Sequence, residues 1–186
     1  MSTADPITMD VARLVEVAEP LEVGTAPKPV AGPRDVIVRV EACGLVPNSF
    51  NVVNGRTPFI LPALPAIFGL DIAGTIEAVG ERVLNLSVGQ RAYVNPHLTC
   101  GTCEGCRREA GCEMSCLRGY FAQTERASQL LNQHRIGGLA QYVVAADTAI
   151  IPLPESVDSL TPPASVTSGP PSPGWPPPSS VQGRPC

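Results

Sequence analysis

A chain of 186 residues holds one full domain and a remainder, with 44% hydrophobic residues to fill a core and only 4% aromatics. A formal charge of −4, with Lys28 as the single lysine and no basic cluster, excludes the electrostatic footprint of a nucleic-acid binder. The start of the chain lacks the basic and unbroken apolar runs of a signal peptide. The most apolar stretch, Phe59–Gly74, is broken by Pro62, Pro65 and Asp71 and is too short to span a bilayer, so a soluble cytoplasmic protein is expected.

In chain order, the first clear element is residues 36–42. Val36, Val38, Val40 and Ala42 fall on one face, the period-2 pattern of a half-buried strand. Residues 73–80, 90–96 and 139–154 read as further strands, separated by Gly, Pro and Asn turn signals. One helix is predicted over 121–135, where Ala127, Leu130, Leu131 and His134 share a face. Many short strands and little helix predict a mainly β barrel or sandwich with a minor α component. From Ser159 the composition changes, and nine of the last 25 residues are proline. Residues 159–186 are therefore expected to be a disordered tail, serving as a polyproline recognition segment or as an inert end. A third explanation is that the tail is not native sequence, because it interrupts the chain in mid-element.

Five of the seven cysteines fall within residues 100–116. Cys100, Cys103 and Cys106 are spaced C-x2-C-x2-C, with Gly101 and Gly105 permitting tight turns between them. A fourth thiolate from Cys112 or Cys116 would complete the closed tetrahedron of a structural zinc. Bacterial ferredoxins share the first three positions, but their fourth cysteine would fall here on Ala110. Disulfides are disfavoured in a reducing compartment, and the sequence assigns neither His97 nor His134 to activate a thiol.

The motifs GLDIAGTIEAVGERV (69–83), VGQRAYVNP (88–96), the cysteine cluster, VIVRVEACGL upstream and GGLAQYVVAADTAIIPLPESV downstream follow one another in a recognisable order. Over residues 8–158 the chain resembles the zinc-containing alcohol dehydrogenases of the medium-chain dehydrogenase/reductase superfamily. The resemblance implies a GroES-like partly open β-barrel over residues 1–158, with a protruding zinc lobe over about 96–118. It implies one structural zinc on Cys100, Cys103, Cys106 and Cys112, if the family's loop is shortened by two residues, with Cys116 in reserve. Subunit contacts near that lobe would make a homodimer.

The same resemblance exposes a gap. The positions that supply the family's catalytic zinc ligands are Val46 and Leu70, and neither carries a lone pair for zinc. The family's aspartate position is Ser49, its proton-relay positions are Asn48 and Asn51, and Cys43 sits one step before the glycine, where the family has no ligand. Asp71 and Glu77 can be read as acid–base groups, although each is expected on a solvated strand edge or paired with an arginine. The loop over 44–55 looks like that of zinc-free quinone and enoyl reductases, in which Asn48 and Asn51 would be hydrogen-bond donors.

No G-x-G-x-x-G fingerprint of a dinucleotide fold lies within the 186 residues, so no Rossmann domain and no cofactor-binding or catalytic residue is assigned. NAD(P) is expected only in a complete version of the protein. That version would reduce a carbonyl, quinone or activated alkene in a small-molecule substrate. The alternative is a non-catalytic, zinc-stabilised binding module with a Pro-rich recognition tail.

Overall fold

The alternating run at Val36 becomes the centre of a five-stranded sheet in the computed structural model, which describes residues 7–45, 47–56, 64–95 and 137–157, with only the backbone of Asn48. The elements are β1 (Thr8–Leu14), β2 (Glu22–Pro27), β3 (Asp35–Gly44), α1 (Pro47–Val53), β4 (Ala66–Ile67), β5 (Asp71–Val79), β6 (Arg91–Val94), β7 (Tyr142–Ala146) and β8 (Ile150–Pro152). The larger sheet runs β7-β3-β5-β6-β8, and a smaller one runs β2-β1-β4. Every pairing is antiparallel. Among the described residues the fold is mainly β with one short α-helix, and its β character is what the alternation predicts. The predicted helix over 121–135, the cysteine lobe and the Pro-rich tail lie outside the described residues.

The core follows from the β-branched residues. Val36, Val38, Ile72, Ile76, Val94, Val143 and Ile150 come together as buried side chains from five strands. Burying a Val or Ile side chain contributes roughly 1.5–3 kcal/mol, so this cluster supplies the main drive for the larger sheet.

Two departures from the sequence reading matter. The predicted strand over 139–154 is not one strand. It splits into β7 and β8, joined by a 3-10 turn at Asp147–Ala149, and the two halves pair at opposite edges of the sheet. Arg34 holds that corner, donating to Asp147 Oδ2 through Nη2 at 2.8 Å. The second departure is in β3. Its register against β5 shifts between Val40 and Ala42, so one extra residue enters the strand. A bulge of one residue reverses the alternation beyond it. Cys43 therefore packs on the same core as Val40, rather than on the opposite face that strict alternation gives it.

A candidate functional site where β3 meets β5

The bulge sets the geometry at the end of β3. There Cys43 pairs with Ile72 and Gly44 with Asp71. Gly69 precedes β5 with a φ of +103°, a conformation that favours glycine. Its carbonyl accepts a hydrogen bond from Gly138 N at 2.9 Å, and Phe68 O accepts one from Leu139 N at 2.7 Å. The segment 137–139 is thereby zipped onto residues 68–69. Between them lies the Cys43 thiol. A Cβ on Gly69 would stand 2.5 Å from its Sγ, and one on Gly138 would stand 2.8 Å away.

This enclosure decides the chemistry of Cys43. Burial pushes its pKa up to about 11, and the Asp71 charge adds to the shift. At neutral pH it is a thiol, which is neither a good ligand nor a good nucleophile.

The polar groups nearby are committed or buried. Tyr93 Oη donates to Asp71 Oδ1 at 3.1 Å, so Asp71 is paired with a tyrosine, where a solvated strand edge or an arginine is the expectation. Glu77 is exposed on β5, as a solvated strand position would be, and its partner is a lysine rather than an arginine: Lys28 Nζ donates to Oε1 at 2.9 Å. Its side chain is 37% exposed, and this pairing places it among the surface ion pairs, outside the site. Leu70 is half-buried and contributes no donor atom.

Ser49 is the residue that sequence reasoning undervalued. On α1 it is 4% exposed, and its Oγ has no hydrogen-bond partner among the described residues. The signal was present as a small polar residue at the family's aspartate position. Its burial depends on tertiary packing, which that signal does not contain. Asn51 is half-buried, and its backbone carbonyl accepts from Arg56 N at 2.8 Å. Val46 and the Asn48 side chain lie outside the described residues, as do Cys100, Cys103, Cys106, Cys112, Cys116, His97 and His134.

A catalytic zinc needs several deprotonated or neutral lone-pair donors around one point. Among the described residues no three His, Cys, Asp or Glu side chains gather in that way. The enclosed thiol, Leu70 and the tyrosine-bonded Asp71 do not fit a zinc ion.

Comparison with known proteins gives a consistent picture. Residues 32–155 match the alcohol dehydrogenase GroES-like domain family. An alcohol dehydrogenase of Geobacillus stearothermophilus is 31% identical over 153 residues, covering 80% of this chain and 41% of that enzyme. The alcohol dehydrogenase of Aeropyrum pernix superposes with a TM-score of 0.67 at 30% identity, over 81% of this chain and 41% of the other. A zinc-binding dehydrogenase of Sinorhizobium meliloti, solved with NADP, gives a TM-score of 0.66 at 27% identity, over 82% and 40%. The chain thus spans about two fifths of the length of these relatives. Among the described residues, no helix is long and apolar enough to cross a membrane.

Proposed function

Since the chain belongs to the alcohol dehydrogenase GroES-like domain family, we propose that it is the GroES-like portion of an NAD(P)H-dependent reductase that works without a catalytic zinc. The complete protein would pass a hydride from the nicotinamide to a carbonyl, quinone or activated alkene. In that chemistry the cofactor supplies the hydride, and the protein supplies orientation and hydrogen-bond donors. Residues 1–186 by themselves bind no dinucleotide, since the sequence contains no fingerprint for one. The reading includes one structural zinc on Cys100, Cys103, Cys106 and Cys112, and a cytoplasmic location suited to free thiolates.

The observation that carries the proposal is the state of Cys43. The Cys43 sulfur, three residues before the lost ligand position 46 in sequence, is enclosed by Gly69 and Gly138 and held protonated, while Leu70 takes the place of a histidine ligand. A site of this kind lowers no water pKa and polarises no carbonyl through a metal. In this reading the half-buried Leu70 stands where the family places a metal ligand, next to the tyrosine-bonded Asp71, and the hydride reaches the acceptor directly from the nicotinamide.

Metal analysis of the purified chain tests both halves. About one zinc per chain, lost on Cys103→Ser, is the expected result for a single closed site of four cysteines. A second zinc that survives Cys103→Ser and disappears on Cys43→Ala would overturn the zinc-free reading. Calorimetric titration with NADPH is expected to give no heat, and saturable binding would contradict the assignment of cofactor binding to the rest of a complete protein.

A further inference from the structure

The loop over 44–55 ends on an asparagine followed by a glycine, Asn54–Gly55. Such a pair carries chemistry of its own, because a glycine nitrogen, with no side chain beside it, can attack the preceding carboxamide carbon. The fold demands the glycine. Gly55 has a φ of +68°, the left-handed conformation that commonly closes a helix. A Cβ there would also stand 2.6 Å from Val17 Cγ1. The asparagine has a separate task at the end of α1. Its Nδ2 donates to Phe50 O at 2.8 Å, and its backbone N donates to the same oxygen at 3.1 Å. The two residues are neighbours for structural reasons, and the reactive pair comes with them.

The same contacts keep the pair from reacting. Attack requires Gly55 N to reach Asn54 Cγ. In the folded chain Gly55 N instead donates to Val52 O at 3.0 Å, and the carboxamide is turned back onto Phe50 O. Bonds on either side fix the segment further. Arg56 N donates to Asn51 O at 2.8 Å, and Ala18 N donates to Val53 O at 2.8 Å. Reaching the attacking geometry breaks the Gly55 and Asn54 bonds together, so the reaction proceeds from a locally opened state.

The geometry points to a latent modification site: we infer that Asn54 deamidates to aspartate or isoaspartate when the end of α1 opens, and that conversion leaves that end open. In the step, a bond forms between Gly55 N and Asn54 Cγ and the Cγ–Nδ2 bond breaks. The nitrogen leaves as ammonia, taking the proton from Gly55 N. Water then opens the cyclic imide at either carbonyl, so the reaction needs no oxidant and no cofactor. The product sets a carboxylate, which only accepts, against Phe50 O in place of a donor, and an attraction becomes a repulsion between oxygens. Negative charge at the C-terminal end of a helix adds to it. Isoaspartate also lengthens the backbone by a methylene at the point where Val17 is packed against Gly55. Because α1 carries Asn51 and the buried Ser49, a change at position 54 reaches the candidate site through the helix.

The test follows conversion of Asn54 by peptide mass in the full chain, incubated folded in neutral buffer and unfolded in urea. Conversion about tenfold or more slower in the folded chain is expected, because only the opened fraction reacts. Across a series of urea concentrations below unfolding, conversion should rise in step with amide exchange at Gly55. Phe50→Gly weakens the helix while keeping the accepting carbonyl and the residues flanking the reactive pair. It should speed conversion in the folded chain about twofold or more and leave the rate in urea unchanged. If that variant does not fold, the urea series on the unaltered protein decides. Equal rates folded and unfolded, conversion that does not follow Gly55 exchange, or no acceleration in a folded Phe50→Gly would overturn the inference. The consequence is read from exchange of the Arg56 amide in Asn54→Asp and Asn54→Ala. Both lose the donor to Phe50 O, and exchange about threefold or more faster in the aspartate variant is expected from the added charge. Equal exchange in the two would show that conversion does not hold the end of α1 open.

Discussion

The Cys43 sulfur lies under Gly69 so closely that a methyl group on the glycine would stand 2.5 Å from it. Neither residue is free to change alone. Gly69 also carries a φ of +103° and would bring its Cβ to 3.0 Å from Leu139 N. Gly69→Ala is therefore expected to lower stability by about 2–4 kcal/mol, through backbone strain and overpacking together. Urea unfolding measures it. Adding Cys43→Ala should restore only part of the loss, because the φ and the Leu139 contact remain. Full restoration would show that the thiol contact alone sets the requirement for glycine.

Ser49 offers the opposite sign. Its hydroxyl is buried and unpartnered among the described residues, and it sits within the short α1. Ser49→Ala removes an unmet polar group and improves helix propensity, so stability should hold or rise by up to about 1 kcal/mol. A loss of more than that in thermal or urea unfolding would mean that the hydroxyl has a partner in the folded protein.

The raised pKa of Cys43 has a definite consequence above neutral pH. Its ordinary value is 9.0, and burial first, then the Asp71 charge, moves it to about 11 in the folded chain. The folded state thus holds this proton more tightly than the unfolded state. The resulting stabilisation is fully present below about pH 9 and is lost as pH rises through about 11. Other thiols and tyrosines titrate in the same window, so the informative quantity is the difference between the parent and Cys43→Ala. That difference should shrink steadily from pH 9 to 11, with Cys43 alkylation, followed by peptide mass, accelerating over the same interval. A difference that is flat with pH would show that the thiol is not enclosed.

Much of the architecture was legible in the residues. The alternation at Val36 and Val38 located β3, because a pleated strand with one buried face must repeat every second residue. The apolar Leu70 at a ligand position was equally legible, since no fold can give a leucine a lone pair. What the chain could not disclose was set at long range. The bulge after Val40 transfers Cys43 to the core face, and its position depends on pairing with β5 rather than on the local pattern. The bond from Tyr93 to Asp71 joins residues 22 positions apart across two strands. The division of residues 139–154 between β7 and β8 is likewise set by the strands that each half pairs with, β3 for one and β6 for the other. Residue types and periodicity therefore determined which chemistry is available in this protein, and strand pairing decided where each group points, because register and bulges are properties of two strands and are written in neither one alone.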